Sequence, residues 1–417
     1  MEDQQPKEYI VQFEKHAYGG ESMGRLPDGR AVFAAYVLPG ETASIEIIWE
    51  KKGFAKAVVK EILKSAPQRI TPRCHHFGVC GGCSYQNLNY SDQLQVKHDL
   101  VVDQLERIGG FQNPPVKPVL ASEQPFYYRN AIQFHMDAEG RLGFLAAGSS
   151  VVVPIQECFL PMEGIFGLWK QLDMEPFPGL QRVHLREGVE DDLMVVFESE
   201  NYQDLPTMEI ELPISAVHLS PAGSLVMAGD DHLVMQIQEK YFRVSAGSFF
   251  QVNNLQASVM VEKVLTYLSP FGGHLLELYC GVGLFTAFLA DKYETITAVE
   301  VSESACADFA VNLDAYDHIS LYMSAVEDVL PGLDVKADAV LVDPPRSGLE
   351  RRALDAIAAT QAKRVVYVSC DPATLARDAK RLAGNGYRLV EVTPLDMFPQ
   401  TQHVECVALF IRDLSVK

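Results

Sequence analysis

From residue 255 onward, short apolar runs alternate with helical stretches, and each run ends on a polar residue or a glycine turn. His274-Leu275-Leu276-Glu277-Leu278-Tyr279 leads into Cys280-Gly281-Val282-Gly283. Residues 295–299 end at Glu300, residues 339–342 at Asp343-Pro344-Pro345, and residues 365–369 at Cys370-Asp371-Pro372. Two further runs, 387–392 and 404–411, close the series. Strands this apolar need cover on both faces, and parallel neighbours need crossovers long enough to be helices. The pattern therefore predicts a doubly wound, mostly parallel α/β sheet. In such a sheet ligands bind beyond the carboxyl ends of the strands.

That rule singles out Cys370. It follows the run Val365-Val366-Tyr367-Val368-Ser369, and Asp371-Pro372 reads as an N-cap followed by a first-turn proline. Cys370 is thus expected between a strand end and a helix N-terminus, where the helix field favours thiolate over thiol. Cysteine is also the most nucleophilic of the usual side chains. Glu300, at the tip of the second strand of the series, is placed to accept hydrogen bonds from two ribose hydroxyls. The glycines of residues 277–283 allow close backbone approach to a ligand, and no third glycine follows Gly283 as a nicotinamide fingerprint would require.

The first half of the chain reads differently. Residues 8–62 alternate short apolar runs with glycine turns and predict a small antiparallel barrel. Then comes Cys74-His75-His76-Phe77-Gly78-Val79-Cys80-Gly81-Gly82-Cys83, three cysteines with glycines that let the backbone bend around one centre. Cys158 is the best candidate for a fourth ligand. Zinc, with His75 or His76 as a ligand, and an iron–sulfur cluster are both compatible with the spacing. Residues 91–108 predict an amphipathic helix along Leu94, His98, Val101, Leu105 and Ile108, stopped by Gly109-Gly110. Residues 119–245 carry strand-like segments separated by turns and predict a central, mostly antiparallel unit.

A chain of 417 residues, 48% of them hydrophobic, can bury cores for two or three domains. It has no apolar run of eighteen residues, and its first seven residues are polar and acidic, so neither a membrane span nor a signal peptide is expected. A cytoplasmic protein follows, with its eight cysteines free, catalytic or metal-bound. The net charge of −20 argues against nucleic acid as a partner, but its distribution does not. Residues 1–135 hold 15 acidic and 15 basic side chains, seven of the basic ones between Lys51 and Arg73. All the excess acid lies beyond.

Taken together, the chain resembles the RNA uracil-C5 methyltransferase family in which a TRAM-type barrel and an iron–sulfur cysteine set precede a class I S-adenosylmethionine methyltransferase domain. The resemblance spans nearly the whole chain. It rests on Cys74, Cys80, Cys83 and Cys158; on Ser248-Phe249-Phe250-Gln251-Val252-Asn253; on Leu278-Tyr279-Cys280-Gly281; on Asp343-Pro344-Pro345-Arg346; on Ser369-Cys370-Asp371-Pro372; and on His403-Val404-Glu405. It implies a Rossmann-like methyltransferase domain over 246–417, preceded by an OB-like barrel over 1–62 and an α+β unit carrying the iron–sulfur segment over 63–245. It further implies that Gln251, Tyr279, Glu300 and Asp343 contact S-adenosylmethionine, that Cys370 is the nucleophile and that Glu405 is the base. The four cysteines would hold a [4Fe–4S] cluster. The partner would be structured RNA, most closely 23S ribosomal RNA, and a monomer is expected.

Elementary chemistry supports two of these roles separately. C5 of uracil is a poor nucleophile until a thiolate adds at C6 and gives it carbanion character. After methyl transfer the C5 proton must leave, which requires a base such as a carboxylate. Phe250 is read either as a base-stacking residue or as core. Relatives carry basic residues where this chain has Gly143-Phe144-Leu145-Ala146-Ala147, and Ser324 falls where they place a polar adenine contact. Three other readings stand beside the ribosomal one: a transfer-RNA uracil-C5 methyltransferase, an RNA-binding or assembly protein with an inactive methyltransferase domain, and a carbon methyltransferase of small molecules.

Overall fold

The computed structural model describes residues 7–413 apart from 173, 175–178, 201–211 and 334. The polar N-terminal stretch, residues 1–6, lies outside the described residues. No helix among the described residues is long and apolar enough to cross a membrane.

Strands Glu8–His16, Glu21–Arg25, Ala31–Ala35, Thr42–Glu50 and Phe54–Lys64 form a closed barrel. Alternate residues point inward, as the period of a strand demands: Val11 and Phe13, Val32 and Ala34, Ala43 and Ile45, Ala55 and Ala57. The expectation of a wholly antiparallel barrel needs one correction. Ala31–Ala35 and Phe54–Lys64 run parallel where the barrel closes. After the third strand the chain crosses the barrel end instead of turning back, so the last hairpin meets that strand in the same direction. Glu41 anchors the crossing. Its buried carboxylate accepts the backbone N–H of Leu38 (2.8 Å) and Ala66 (3.1 Å) and both forks of the Arg69 guanidinium.

The middle of the chain builds a seven-stranded sheet in the order Gly223–Ala228, Ser215–Ser220, Leu193–Ser199, Leu180–Glu187, Ala131–Met136, Leu142–Leu145, Val152–Pro154. One pair, Leu193–Ser199 with Ser215–Ser220, is parallel and the rest antiparallel. Helix Glu163–Gln171 packs Ile165, Leu168 and Trp169 onto its core. A separate hairpin, His232–Ile237 with Lys240–Ser245, turns Leu233, Met235, Phe242 and Val244 into a core shared with helix Asn254–Leu268 and the C-terminal sheet.

The C-terminal sheet has the order Ile319–Met323, Thr295–Glu300, His274–Leu278, Ala339–Val342, Arg364–Ser369, Glu405–Arg412, Tyr387–Leu395. Its first five strands are parallel, and Glu405–Arg412 is antiparallel to both neighbours. The expected doubly wound sheet is present, with the edge strand Ile319–Met323 in addition to the runs read from the sequence.

The helix before it corrects a second expectation. Tyr90–Gln104 continues through a π turn, Leu105–Gly109, and stops at Gly110 in the left-handed region. Val101 and Leu105 of the expected stripe are buried and Ile108 packs against the core, but Leu94 and His98 are only partly buried, and Gln93, Val96, Lys97, Leu100 and Gln104 complete the buried face. Lys97 is part of this buried face. Its ammonium is fully buried and pairs with Asp396 at 2.5 Å while donating to the Phe398 carbonyl at 3.0 Å. Removing one partner of such a pair strands a buried charge, at a cost of about 3–5 kcal/mol.

Candidate active site

The polar strand ends meet at the carboxyl edge of the C-terminal sheet. Tyr279 follows His274–Leu278, Glu300 ends its own strand, Asp343 follows Ala339–Val342 and Cys370 follows Arg364–Ser369. Glu405 joins them from the opposite direction because its strand is antiparallel. Ser369 pairs with Cys406, so the next position outward sets Cys370 across from Glu405. A slip of one residue would send Glu405 to the other face of the sheet.

Asp371 caps helix Pro372–Gly384 as the sequence implies. Its Oδ1 accepts the N–H groups of Ala373 (2.8 Å) and Thr374 (2.9 Å). This cap overturns one expectation. The positive helix end is taken by Asp371, and the Cys370 thiol is not eased toward thiolate. Burial, with the charges of Glu405 and Asp343 behind it, pushes the thiol up to about 12, and Arg346 acts the other way. Glu405 is only 5% exposed, and burial, reinforced by Asp343, raises its carboxyl to about 8. Asp343 is raised to about 7 by burial and by the charge of Glu300. A surface strand-end glutamate would show none of this. Burial thus favours the uncharged form of Cys370, Glu405 and Asp343 alike.

The glycine loop lies beside them. Tyr279 holds φ at 61°, and burial raises its phenol. Gly281 has φ at 55° and open space where a Cβ would stand. Gly283 has none: a Cβ there would lie 2.8 Å from Leu313 and 3.0 Å from Phe309. The Glu300 carboxylate accepts three backbone N–H groups, from Gly281 (3.0 Å), Val301 (2.8 Å) and Ser302 (2.8 Å). It is held rigidly at the loop with Val301 exposed beside it. Gln251 is buried, and its backbone carbonyl accepts the Asn130 amide at 2.8 Å. Phe250 packs partly buried against Phe242, with ring centres 5.8 Å apart, on the core side. The exposed ring is its neighbour Phe249.

Cys74, Cys80, Cys83 and Cys158 line one cavity of about 410 Å³. Cys80 Sγ accepts the Gly82 N–H at 3.4 Å and Cys83 Sγ accepts the Gln86 amide at 3.3 Å. Burial raises Cys83 to about 11 and Cys158 to about 12, while Arg129 pulls both down. Cys74, His76 and Glu157 also bring one donor atom each within 4.8 Å of one another. His75 is exposed and bonds Glu157 through its backbone N–H at 2.8 Å.

Some residues of the site carry no signal in the sequence. The segment 396–403, which leads to Glu405, is gripped by the first half of the chain. Besides Lys97, the Gln93 side-chain amide donates to Gln400 Oε1 and accepts the Gln400 backbone N–H, and Tyr128 donates to the Pro399 carbonyl at 3.0 Å. Ser84 and Tyr85, next to Cys83, donate their N–H groups to the Gln400 carbonyl. Arg346, in the sequence only the last residue of the Asp343-Pro344-Pro345-Arg346 motif, carries a positive charge that acts on both Cys370 and Glu405.

The model of the tRNA (Uracil-5-)-methyltransferase family matches residues 226–413. An uncharacterized RNA methyltransferase of Aquifex aeolicus is 34% identical over 95% of this chain and 96% of its own length. One of Bacillus cereus is 34% identical over 96% of each. The chain belongs to the RNA (uracil-5-)-methyltransferase family. It is an S-adenosylmethionine-dependent enzyme acting on RNA. Its fold is similar over almost its full length to a solved Pyrococcus abyssi tRNA (uracil-54, C5)-methyltransferase in complex with S-adenosyl-L-homocysteine. The two share 26% identity and a TM-score of 0.73, over 96% of this chain and 99% of that one.

Proposed function

We propose that this methyltransferase modifies C5 of a uridine in 23S ribosomal RNA through a covalent bond between Cys370 and C6. The observation that carries the reading is the strand register, which sets Cys370 across from Glu405 at the sheet edge. As the base enters, the Cys370 thiol releases its proton to solvent and its sulfur adds to C6, leaving an enolate with carbanion character at C5. C5 takes the methyl group, and S-adenosylhomocysteine leaves. The Glu405 carboxylate then removes the C5 proton, the C6–S bond breaks, and Glu405 returns the proton to the departing sulfur. The net products are 5-methyluridine, S-adenosylhomocysteine and one proton.

Gln251, Tyr279, Glu300 and Asp343 are proposed to hold the cofactor, with Glu300 toward the ribose. Cys74, Cys80, Cys83 and Cys158 are proposed to hold a [4Fe–4S] cluster. Four thiols on one cavity, N–H donors on two sulfurs and Arg129 beside them fit a thiolate-ligated, net negative group. Its role would be structural, tying residues 74–83 to Cys158. The TRAM assignment of the barrel, the division at 1–62, 63–245 and 246–417, a monomeric state and a cytoplasmic location belong to the same proposal.

Transfer RNA is the second reading. The Pyrococcus abyssi tRNA enzyme aligns with 96% of this chain, a span too long to leave out the barrel, so the barrel alone does not favour ribosomal RNA. Mass-spectrometric mapping of 5-methyluridine in 23S ribosomal RNA and in tRNA from a deletion strain separates the two. Loss in 23S RNA is expected, and loss confined to tRNA would move the substrate. For the mechanism, Glu405→Gln should methylate and then stall with RNA covalently attached at Cys370. Free turnover by that variant would place the base elsewhere.

A further inference from the structure

Tyr18 lies 353 positions from Asp371, and its hydroxyl donates to Asp371 Oδ2. It stands on the barrel turn between Glu8–His16 and Glu21–Arg25, which Ala17 closes by donating its N–H to the Glu21 carbonyl at 2.8 Å. Gly19 and Gly20 follow it with φ at +98° and +80°. Gly20 sits directly on the segment before Glu405, since a Cβ there would come 2.3 Å from Gln402 Oε1. The first turn of the barrel thus packs against both Asp371, the neighbour of Cys370, and the segment that leads to Glu405.

Asp371 is thereby held at both oxygens. Oδ1 serves the helix N-terminus and Oδ2 serves Tyr18. Its backbone is clamped as well, because Ser369 Oγ donates to the Asp371 carbonyl at 3.0 Å and accepts the Asp371 N–H at 3.2 Å. Cys370 hangs between these two fixed residues. Of the charged groups that face it, Glu405, Asp343 and Asp371 oppose a thiolate and Arg346 favours one. A donor on Asp371 draws carboxylate charge away from the sulfur that has to ionise.

We infer that Tyr18 is a positioning residue for Cys370, supplied by the barrel, which aims the Asp371 carboxylate and mutes its charge beside the thiol. The inference rests on the proposed role of Cys370, and it gives the barrel a part in the reaction besides any contact with RNA.

The test uses the full chain with Tyr18→Phe, Asp371→Asn and the double variant. Tyr18 is 42% exposed and the substitution keeps its ring, so folding is not at stake; a thermal melt checks this. The rate of Cys370 alkylation by iodoacetamide, followed by peptide mass spectrometry across pH, reads the thiol directly. Tyr18→Phe should slow alkylation about tenfold, the order expected for one lost bond to a charged group. It should lower kcat in parallel while KM for RNA and S-adenosylmethionine affinity stay within about twofold. Adding Tyr18→Phe to Asp371→Asn should change alkylation no further. A raised KM for RNA with unchanged alkylation would make Tyr18 an RNA contact and overturn the inference, as would additive effects in the double variant. Full activity of Cys370→Ala would instead sink the nucleophile assignment and leave the alkylation result standing.

Discussion

Two groups of cysteines in this protein share high thiol pKa values for the same first reason, burial, and differ in everything around them. Cys158 and Cys370 are both pushed up to about 12. Around Cys158 the neighbours are other thiols, with Arg129 beside them and N–H donors on Cys80 and Cys83. Around Cys370 the neighbours are carboxyl groups, Glu405 and Asp343, with Arg346 opposing them. The first environment suits anions that persist once a cation joins them. The second suits an anion that exists only during a reaction, beside a group able to take and return a proton. Thiol pKa alone separates neither role; the company each sulfur keeps does.

Substitution breaks the comparison most sharply at Cys370. Cys370→Ala should lower turnover by at least about 1000-fold, with S-adenosylmethionine binding by calorimetry unchanged, because the proposed attack of the sulfur is on the base and not on the cofactor. Residual activity above a few per cent of wild type would remove the distinction between the two groups. RNA carrying 5-fluorouridine at the target should trap the wild-type enzyme as an adduct, since no C5 proton can then be removed.

The cavity should respond in the opposite sense. Anaerobically purified protein is expected to carry about four iron per chain, and Cys158→Ser should lose them. RNA affinity should then weaken while S-adenosylmethionine affinity holds. Stoichiometric zinc without iron would shift the ligand set toward Cys74, His76 and Glu157, whose donor atoms already lie within 4.8 Å of one another.

Proton chemistry sharpens the comparison further. Glu405 must be ionised to act as a base, and in the free enzyme its carboxyl sits at about 8. kcat/KM should therefore rise through pH 7 and bend near pH 8, and a flat profile from pH 6 to 9 would exclude Glu405 as the titrating base. The smallest effect is on stability. Glu277 and Glu405 are raised to about 8 and Asp343 to about 7, all above their unfolded values. The folded state thus binds more protons, and the stability this contributes is complete below about pH 4 and is lost as pH rises through 7 and 8. The melting temperature of the cofactor-free protein should fall by a few degrees between pH 6 and pH 8.5, and less in Glu405→Gln.

Much of this was legible beforehand because it depends on local chemistry. The apolar runs after residue 255 each became a strand, and Asp371-Pro372 began a helix as its cap and first turn. The same local rules failed where a distant partner decided the outcome. Residues 91–108 show Leu94 and His98 at helical spacing, yet the helix buries Lys97, whose charge is received by Asp396, 299 positions away. The helix N-terminus was expected to favour a Cys370 thiolate, but Asp371 consumed it and the carboxyl groups of two other strands set the sulfur's surroundings.

The sequence by itself therefore determined most of the elements, their order and the residue types available at each strand end, since these follow from period, caps and turns within a few positions. Which of those residues face one another was decided only in the tertiary structure. The antiparallel insertion of Glu405–Arg412 sets Glu405 against Cys370, the parallel closure shapes the barrel, and the barrel turn brings Tyr18 to Asp371. Register and long-range charge pairing depend on the summed packing of the whole chain, and no short stretch of sequence carries that sum.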